Sequence, residues 1–375
     1  MIYLDYAGSG LPIQEVLSRY PKYCERYSLN PHGGTRQAEE ARRAILLAER
    51  RLMKCMGIPE DEADVIWTSG GTEALNLAIL GVQPDKDNAW LVDATAHHAM
   101  LEPARHRAEV SGLPLVHLMP KRTGELELPL TPIADAAVCC VCQLNNETGA
   151  VQNLTAVRQS IGKSPLLIVD TCQGFGRIPL EWTTARVDIA VVSSRKIGGP
   201  ASGGALIVRK GVRLTPLFFG GGQQHGLRPG TLDTVNILLF ADAAELATDT
   251  DSTEHEKRLE KLNALLVNGL KELKKAKYTL ISQHGHAHPA ICMFSFPGYE
   301  GAVLKRILAD KYDIIVGTGS ACSAEAGEPS HVLTAMGFDE KTIRGALRVS
   351  FSPTQTETHH ITAFLEALKQ TLDSY

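Results

Sequence analysis

The sequence predicts an α/β protein built on a mainly parallel seven-stranded sheet, with a smaller α+β unit attached. Two observations carry the first half of that expectation: short apolar runs bounded by glycine, proline or polar clusters, and segments of helical periodicity between them. The runs are DVIWT (64–68), AWLVD (89–93), LPLVHL (113–118), AAVCCVCQ (136–143), LLIVD (166–170), VDIAVV (187–192) and ALIV (205–208). Strands separated by helices imply βαβ units and a sheet covered on both faces. RQAEEARRAILLAERRLMKCMG (36–57) is the clearest intervening helix. The third observation is a change of texture after about residue 247, where a polar lead-in opens a long amphipathic, charge-laced helix. Beyond it AICMFSFPG, DIIVGTGS and LRVSFS read as strands, with helices near 300–310 and 359–373. The expected division is a large unit over 16–247 and a small one formed by 1–15 and 248–375.

Composition narrows the function classes. The chain has 375 residues, 44% of them apolar and 21% charged, with a formal charge of −4. That balance gives no support for a general nucleic-acid or membrane-binding surface. No stretch approaches the roughly 20 apolar residues of a membrane helix, and MIYLDYAGSG has neither the basic start nor the apolar stretch of a signal peptide. Of the eight cysteines, Cys139, Cys140 and Cys142 lie together in the apolar run AAVCCVCQL. They read as buried thiols in a reducing cytoplasm rather than as a disulfide framework.

In a parallel sheet, ligands collect at the carboxyl ends of the strands. DVIWT is followed by SGGTEALNLAIL, a glycine turn opening a helix near Gly71 and Thr72, whose free N–H groups and positive dipole end suit a phosphate. AWLVD leads to ATAHHAM with His97, AAVCCVCQ to LNNETG with Asn146, LLIVD ends on Asp170, and VDIAVV leads into SSRKIGGP with Lys196. HGHAH (284–288) reads as solvated loop histidines, and no His, Cys or Asp cluster has metal-ligand spacing. A phosphate cradle, a carboxylate, an amide, a histidine and a lysine at neighbouring strand ends make up the set that pyridoxal 5′-phosphate needs.

TSGGTEALNLAI, AHHAM, NNETGAVQ, VDTCQGFGRIPLE, SSRKIGGPASGGALIV, GGGQQHGLRPGT, GTGSACSAEAGEPSHVLTAMG and ALRVSFS occur in the order found in cysteine desulfurases. The sequence therefore resembles the cysteine desulfurase family of the class V aminotransferase group, fold-type I pyridoxal-phosphate enzymes, from IYLDY to about Ser352. The resemblance implies that Lys196 is the Schiff-base lysine, Asp170 pairs with the pyridine nitrogen, Gln173 bonds the phenolic oxygen and His97 stacks on the ring. It also implies that Gly71, Thr72 and Ser193 hold the phosphate with Arg195 beside them, that Thr231 reaches in from a partner subunit of a homodimer, and that Asn146 and Arg348 receive the substrate. Cys322, among the small polar residues of GSACSAEAGEPSHVL, would be the nucleophile of a long-loop family member. It would take sulfur from L-cysteine as a persulfide, release L-alanine and pass the sulfur to an acceptor protein. A lyase or aminotransferase of the same fold, acting on another sulfur or selenium amino acid, is the alternative.

Four departures from the family pattern border that site or the expected dimer face. Arg195 stands where a histidine is usual, and an arginine cannot exchange protons near neutrality. DYAGSG replaces a DYSATT-like loop, NPHGGTRQAEEA (30–41) is shortened, and Ala96 stands where glutamate is frequent.

Overall fold

The computed structural model describes residues 1–85, 88–128, 136–248, 252–273, 276–319 and 329–375. Its strands are β1 (Ile2–Leu4), β2 (Ala63–Thr68), β3 (Ala89–Asp93), β4 (Leu115–Leu118), β5 (Ala136–Cys142), β6 (Leu166–Asp170), β7 (Ile189–Ser193), β8 (Gly204–Arg209), β9 (Thr279–Leu280), β10 (Ile291–Ser295), β11 (Ile314–Val316) and β12 (Ala346–Ser350). Seven of them form one sheet in the order β2-β8-β7-β6-β5-β3-β4. All its pairings are parallel except those of β8, which runs against both β7 and β2.

Successive residues of each strand enter different cores, as the period of two requires. Cys139, Val141 and Leu91 pack with helices Arg36–Cys55 and Thr234–Thr248 on one face. Val138, Cys140, Trp90 and Val92 pack with helices Gly71–Gly81 and His98–Ser111 on the other. Every residue of β5 is buried, which is why its sequence shows a continuous apolar run instead of alternation.

The C-terminal third builds a separate core, where Leu259, Leu262 and Leu266 of helix Ser252–Lys271 meet Phe294, Val349 and Phe364. Its antiparallel sheet has the order β12-β10-β9, and β1 pairs in parallel with β11, Ile2 opposite Ile314. The first residues of the chain thus fold against the last third. No helix among the described residues is long and apolar enough to cross a membrane.

The HGHAH segment departs from the sequence expectation. His288 is buried, its Nδ1 accepts the Ala290 N–H at 3.1 Å, and its pKa is lowered to about 4 by burial and by Arg177. The apolar strand Ile291–Ser295 that follows draws the end of this loop inside.

Candidate functional site

A cavity of about 370 Å³ opens at the carboxyl ends of β2, β3, β5, β6 and β7. Gly71, Thr72, His97, Asn146, Asp170, Gln173, Ser193, Arg195 and Lys196 all line it. Nine residues scattered over 126 positions of sequence meet there because parallel strands present their final residues on one edge.

Helix Gly71–Gly81 begins at the cavity wall with Gly70 as its N-cap, and no side chain caps it. Its first N–H groups are left for a ligand. A Cβ on Gly71 would come within 3.0 Å of Cys172 Sγ and 3.5 Å of Ser193 Cβ, so glycine keeps this wall open. On the adjoining wall Arg195 is exposed, and its Nε donates to the Ala201 carbonyl at 3.1 Å.

Asp170 ends β6, and its Oδ1 accepts the Cys172 N–H at 2.9 Å. His97 caps helix His98–Ser111 by accepting the Ala99 N–H at Nδ1, 3.0 Å away, which fixes its ring at the cavity edge. Its pKa is lowered, by burial first, against the opposing pull of Asp170 and with help from Lys196, His98 and His331. The ring therefore favours its neutral form.

Lys196 lies on the 3₁₀ turn Ser194–Ile197 that follows β7. Gly198 ends that turn at φ +78°, the left-handed region open to glycine. The Lys196 ammonium donates to the carbonyls of Ala7 (2.8 Å) and Gly8 (2.7 Å). Burial lowers its pKa to about 8, opposed by Cys172 and assisted by Arg348. Gln173 Nε2 also donates to Ala7 O, at 2.7 Å, and its Oε1 is buried with no partner among the described residues.

Arg348 does not line the cavity but lies behind Asn146, whose carbonyl accepts from Nη1 at 2.7 Å. It sits mid-strand in β12, opposite Met293 of β10. Its Nη2 forms an ion pair with Asp5 Oδ1 at 2.7 Å, and Nε is buried without a partner among the described residues. Thr231 lines a different cavity, of about 250 Å³, together with Arg228 and Trp67. Cys322 lies outside the described residues.

Among the described cysteines, burial pushes Cys139 and Cys292 up to about 12 and Cys140 and Cys142 well above the ordinary thiol value. These are inert thiols, as their strands suggest. Cys172 and Cys142 nevertheless line the cavity, which sequence reasoning did not foresee. Asp5 and the Ala7 and Gly8 carbonyls were also missed; the one available signal was the departure of DYAGSG from the family loop.

The residues fit pyridoxal phosphate by their chemistry. A cavity within the usual size range for small ligands holds an uncapped helix start, a carboxylate at a strand end, an orphaned buried amide oxygen and an amine of lowered pKa.

The chain matches the family described as Aminotransferase class-V over residues 2–360. It is 34% identical over 368 residues to a protein named cysteine desulfurase IscS from Rickettsia africae, covering 95% of this chain and 87% of the relative. Among solved structures, a NifS-like protein superposes with a TM-score of 0.90 at 28% identity, covering 100% of both chains. The protein SspA in complex with cysteine gives a TM-score of 0.79 at 25% identity, over 95% of this chain and 100% of that one.

Proposed function

The chain belongs to the aminotransferase class-V family, and we propose that within it the protein is a pyridoxal-phosphate-dependent cysteine desulfurase that converts L-cysteine to L-alanine. The observation that carries this reading is the meeting of Lys196, Asp170, His97 and the helix start at Gly71 around one cavity, with Arg348 directly behind it. When bound, the cofactor supplies an electron sink for charge developing at the substrate Cα.

The protein's own groups do the rest. Gly71 and Thr72 offer helix-end N–H groups to the phosphate, Ser193 a hydroxyl and Arg195 a fixed charge. Asp170 would keep a proton on the ring nitrogen, Gln173 would bond the phenolic oxygen and His97 would stack on the ring. Lys196 Nζ, its pKa lowered to about 8 and so far more often neutral than an ordinary lysine amine, would tether the cofactor and move the Cα proton. Asn146 and Arg348 orient the substrate, the guanidinium receiving its carboxylate.

Cys322 is the proposed sulfur carrier. Its thiolate attacks the sulfur of L-cysteine, an S–S bond forms as the Cβ–S bond breaks, and a proton delivered to Cβ completes L-alanine. The resulting Cys322 persulfide passes its outer sulfur to an acceptor protein. We place this chemistry in a cytoplasmic homodimer with Thr231 facing the neighbouring subunit's phosphate site, and in a large unit of 16–247 and a small one of 1–15 and 248–375. Relatives named cysteine desulfurase and a solved relative holding cysteine support the substrate.

The test is to supply L-cysteine to the purified protein and measure alanine and sulfide. Lys196→Ala is expected to lose both the yellow colour and the activity, and Cys322→Ser to keep the colour and lose sulfur transfer. Normal sulfide release by Cys322→Ser would remove the persulfide route.

A further inference from the structure

We propose that Asp5 is an internal stand-in for the substrate carboxylate: it occupies Arg348 until an amino acid arrives, and so sets how tightly carboxylates bind. This rests on the desulfurase reading above, in which Arg348 receives the carboxylate.

The register brings the pair together. Leu4 is the last paired residue of β1 and lies opposite Val316, the last of β11, so Asp5 and Gly317 emerge side by side. Gly317 then bridges Arg348, donating its N–H to Arg348 O at 2.9 Å and accepting from Arg348 N at 2.8 Å. A Cβ at Gly317 would lie 2.6 Å from Asp5 Oδ1 and 2.7 Å from Arg348 Nη2. Only glycine lets the carboxylate and the guanidinium meet there.

The Arg348 side chain is 3% exposed and that of Asp5 17%. A guanidinium so enclosed is strongly destabilised without a counter-charge. Among the described residues, each is the other's one ion-pair partner. The contact is nevertheless incomplete. Asp5 engages Nη2 alone, through one oxygen, and Nε donates to nothing among the described residues. Of the five guanidinium N–H groups, the two hydrogen bonds to Asp5 and Asn146 leave three for another acceptor. A free α-carboxylate that takes two donors at once makes the stronger contact. Asp5 compensates the charge without saturating the fork, so every incoming carboxylate meets a cation already partly neutralised.

Asp5→Asn keeps the shape and an acceptor oxygen but removes the competing charge. The cofactor-loaded protein is titrated with L-alanine, the dissociation constant is read from the cofactor's visible absorbance, and KM and kcat are measured for L-cysteine. The dissociation constant and KM are expected to fall at least about fivefold, the lower end of ordinary coupling between sites, with kcat changing less than KM. L-alaninamide, which lacks the carboxylate, should bind equally to both proteins, and Asp5→Glu should return KM towards the parent value. Asp5→Ser carries the same expectation as Asp5→Asn should the latter be insoluble. If the parent protein responds but Asp5→Asn binds L-alanine no better, or worse, Asp5 is a structural partner and this proposal alone is overturned. If the parent shows no response to either amino acid, the desulfurase reading falls and the proposal with it.

Discussion

Two arginine–aspartate pairs, one at each edge of the large sheet, use the same chemistry to different ends. Arg158 and Asp188 meet beneath the amino ends of β6 and β7, with side chains 8% and 7% exposed. Arg158 Nε donates to Ala185 O, Nη1 to Gly162 O and Pro165 O, and Nη2 to Arg186 O and Asp188 Oδ2. Asp188 Oδ2 also accepts the Leu167 N–H at 2.8 Å. Every guanidinium nitrogen is spoken for, and the cluster locks the strand starts to the loops below. Arg348 and Asp5, near the carboxyl edge, have side chains 3% and 17% exposed, and Nε has no partner among the described residues. A saturated pair has nothing left to offer a ligand, whereas an underused one retains directed donors in a place where water is scarce. Donor saturation is what distinguishes Arg158 from the arginine proposed to receive the substrate, although Arg107 and Arg177 also carry a buried Nε with no partner among the described residues.

The contrast can be broken most forcefully at Arg158. Arg158→Met leaves Asp188 buried without its cation and should lower unfolding stability by about 3–5 kcal/mol, read from denaturant titration, while kcat/KM of the folded fraction is unchanged. A large loss of catalysis at unchanged stability would reverse the assignment. Next in size is Arg348→Lys, which keeps the charge but loses the fork. Its kcat/KM for L-cysteine should drop about a hundredfold, or roughly 2.7 kcal/mol of transition-state stabilisation, with little movement of Tm.

The smallest effect sharpens the comparison through pH. Burial, and secondarily the positive field of Arg348, hold Lys196 near a pKa of about 8. An amine is nucleophilic only when neutral, so the rate at which cofactor-free protein captures pyridoxal phosphate should rise as pH increases through about 8 and then level off. Between pH 7 and pH 9 the gain should be about tenfold, followed by stopped-flow absorbance. Arg348→Gln should move the midpoint upward, towards the ordinary lysine value, while Arg158→Met should leave it in place.

Much of this was legible from residues alone. The seven strands of the large sheet lie within two residues of the apolar runs at nearly every end, because a strand covered on both faces needs unbroken apolar sequence. Half of the cavity lining was legible for a related reason: Asp170 ends such a run, Asn146, His97 and Lys196 come within four residues of one, and a parallel sheet gathers strand ends. What stayed hidden depends on distant pairing. β1 is three residues long and β9 two, too short for any periodicity, and β1 is defined by a partner more than three hundred positions away. Asp5 looks like an ordinary loop carboxylate until register sets it against Arg348. His288 reads as solvated in the polar HGHAH segment, although it is buried beside β10 with its N–H donated to the Gly149 carbonyl, 139 positions away.

The span of 343 residues between Asp5 and Arg348 also bears on how the protein is made. Asp5 leaves the ribosome 343 residues before Arg348. At ordinary translation speeds the interval is roughly 20–70 s. Only in the later part of that time, once Arg209 at the end of β8 has been made, does the large sheet have all its strands and Lys196 in place, while β11 and Arg348 are still to come. Cofactor capture on the nascent chain is therefore separable from amino-acid recognition. On the proposed roles, biosynthesis delivers the cofactor lysine well before the arginine that receives the substrate.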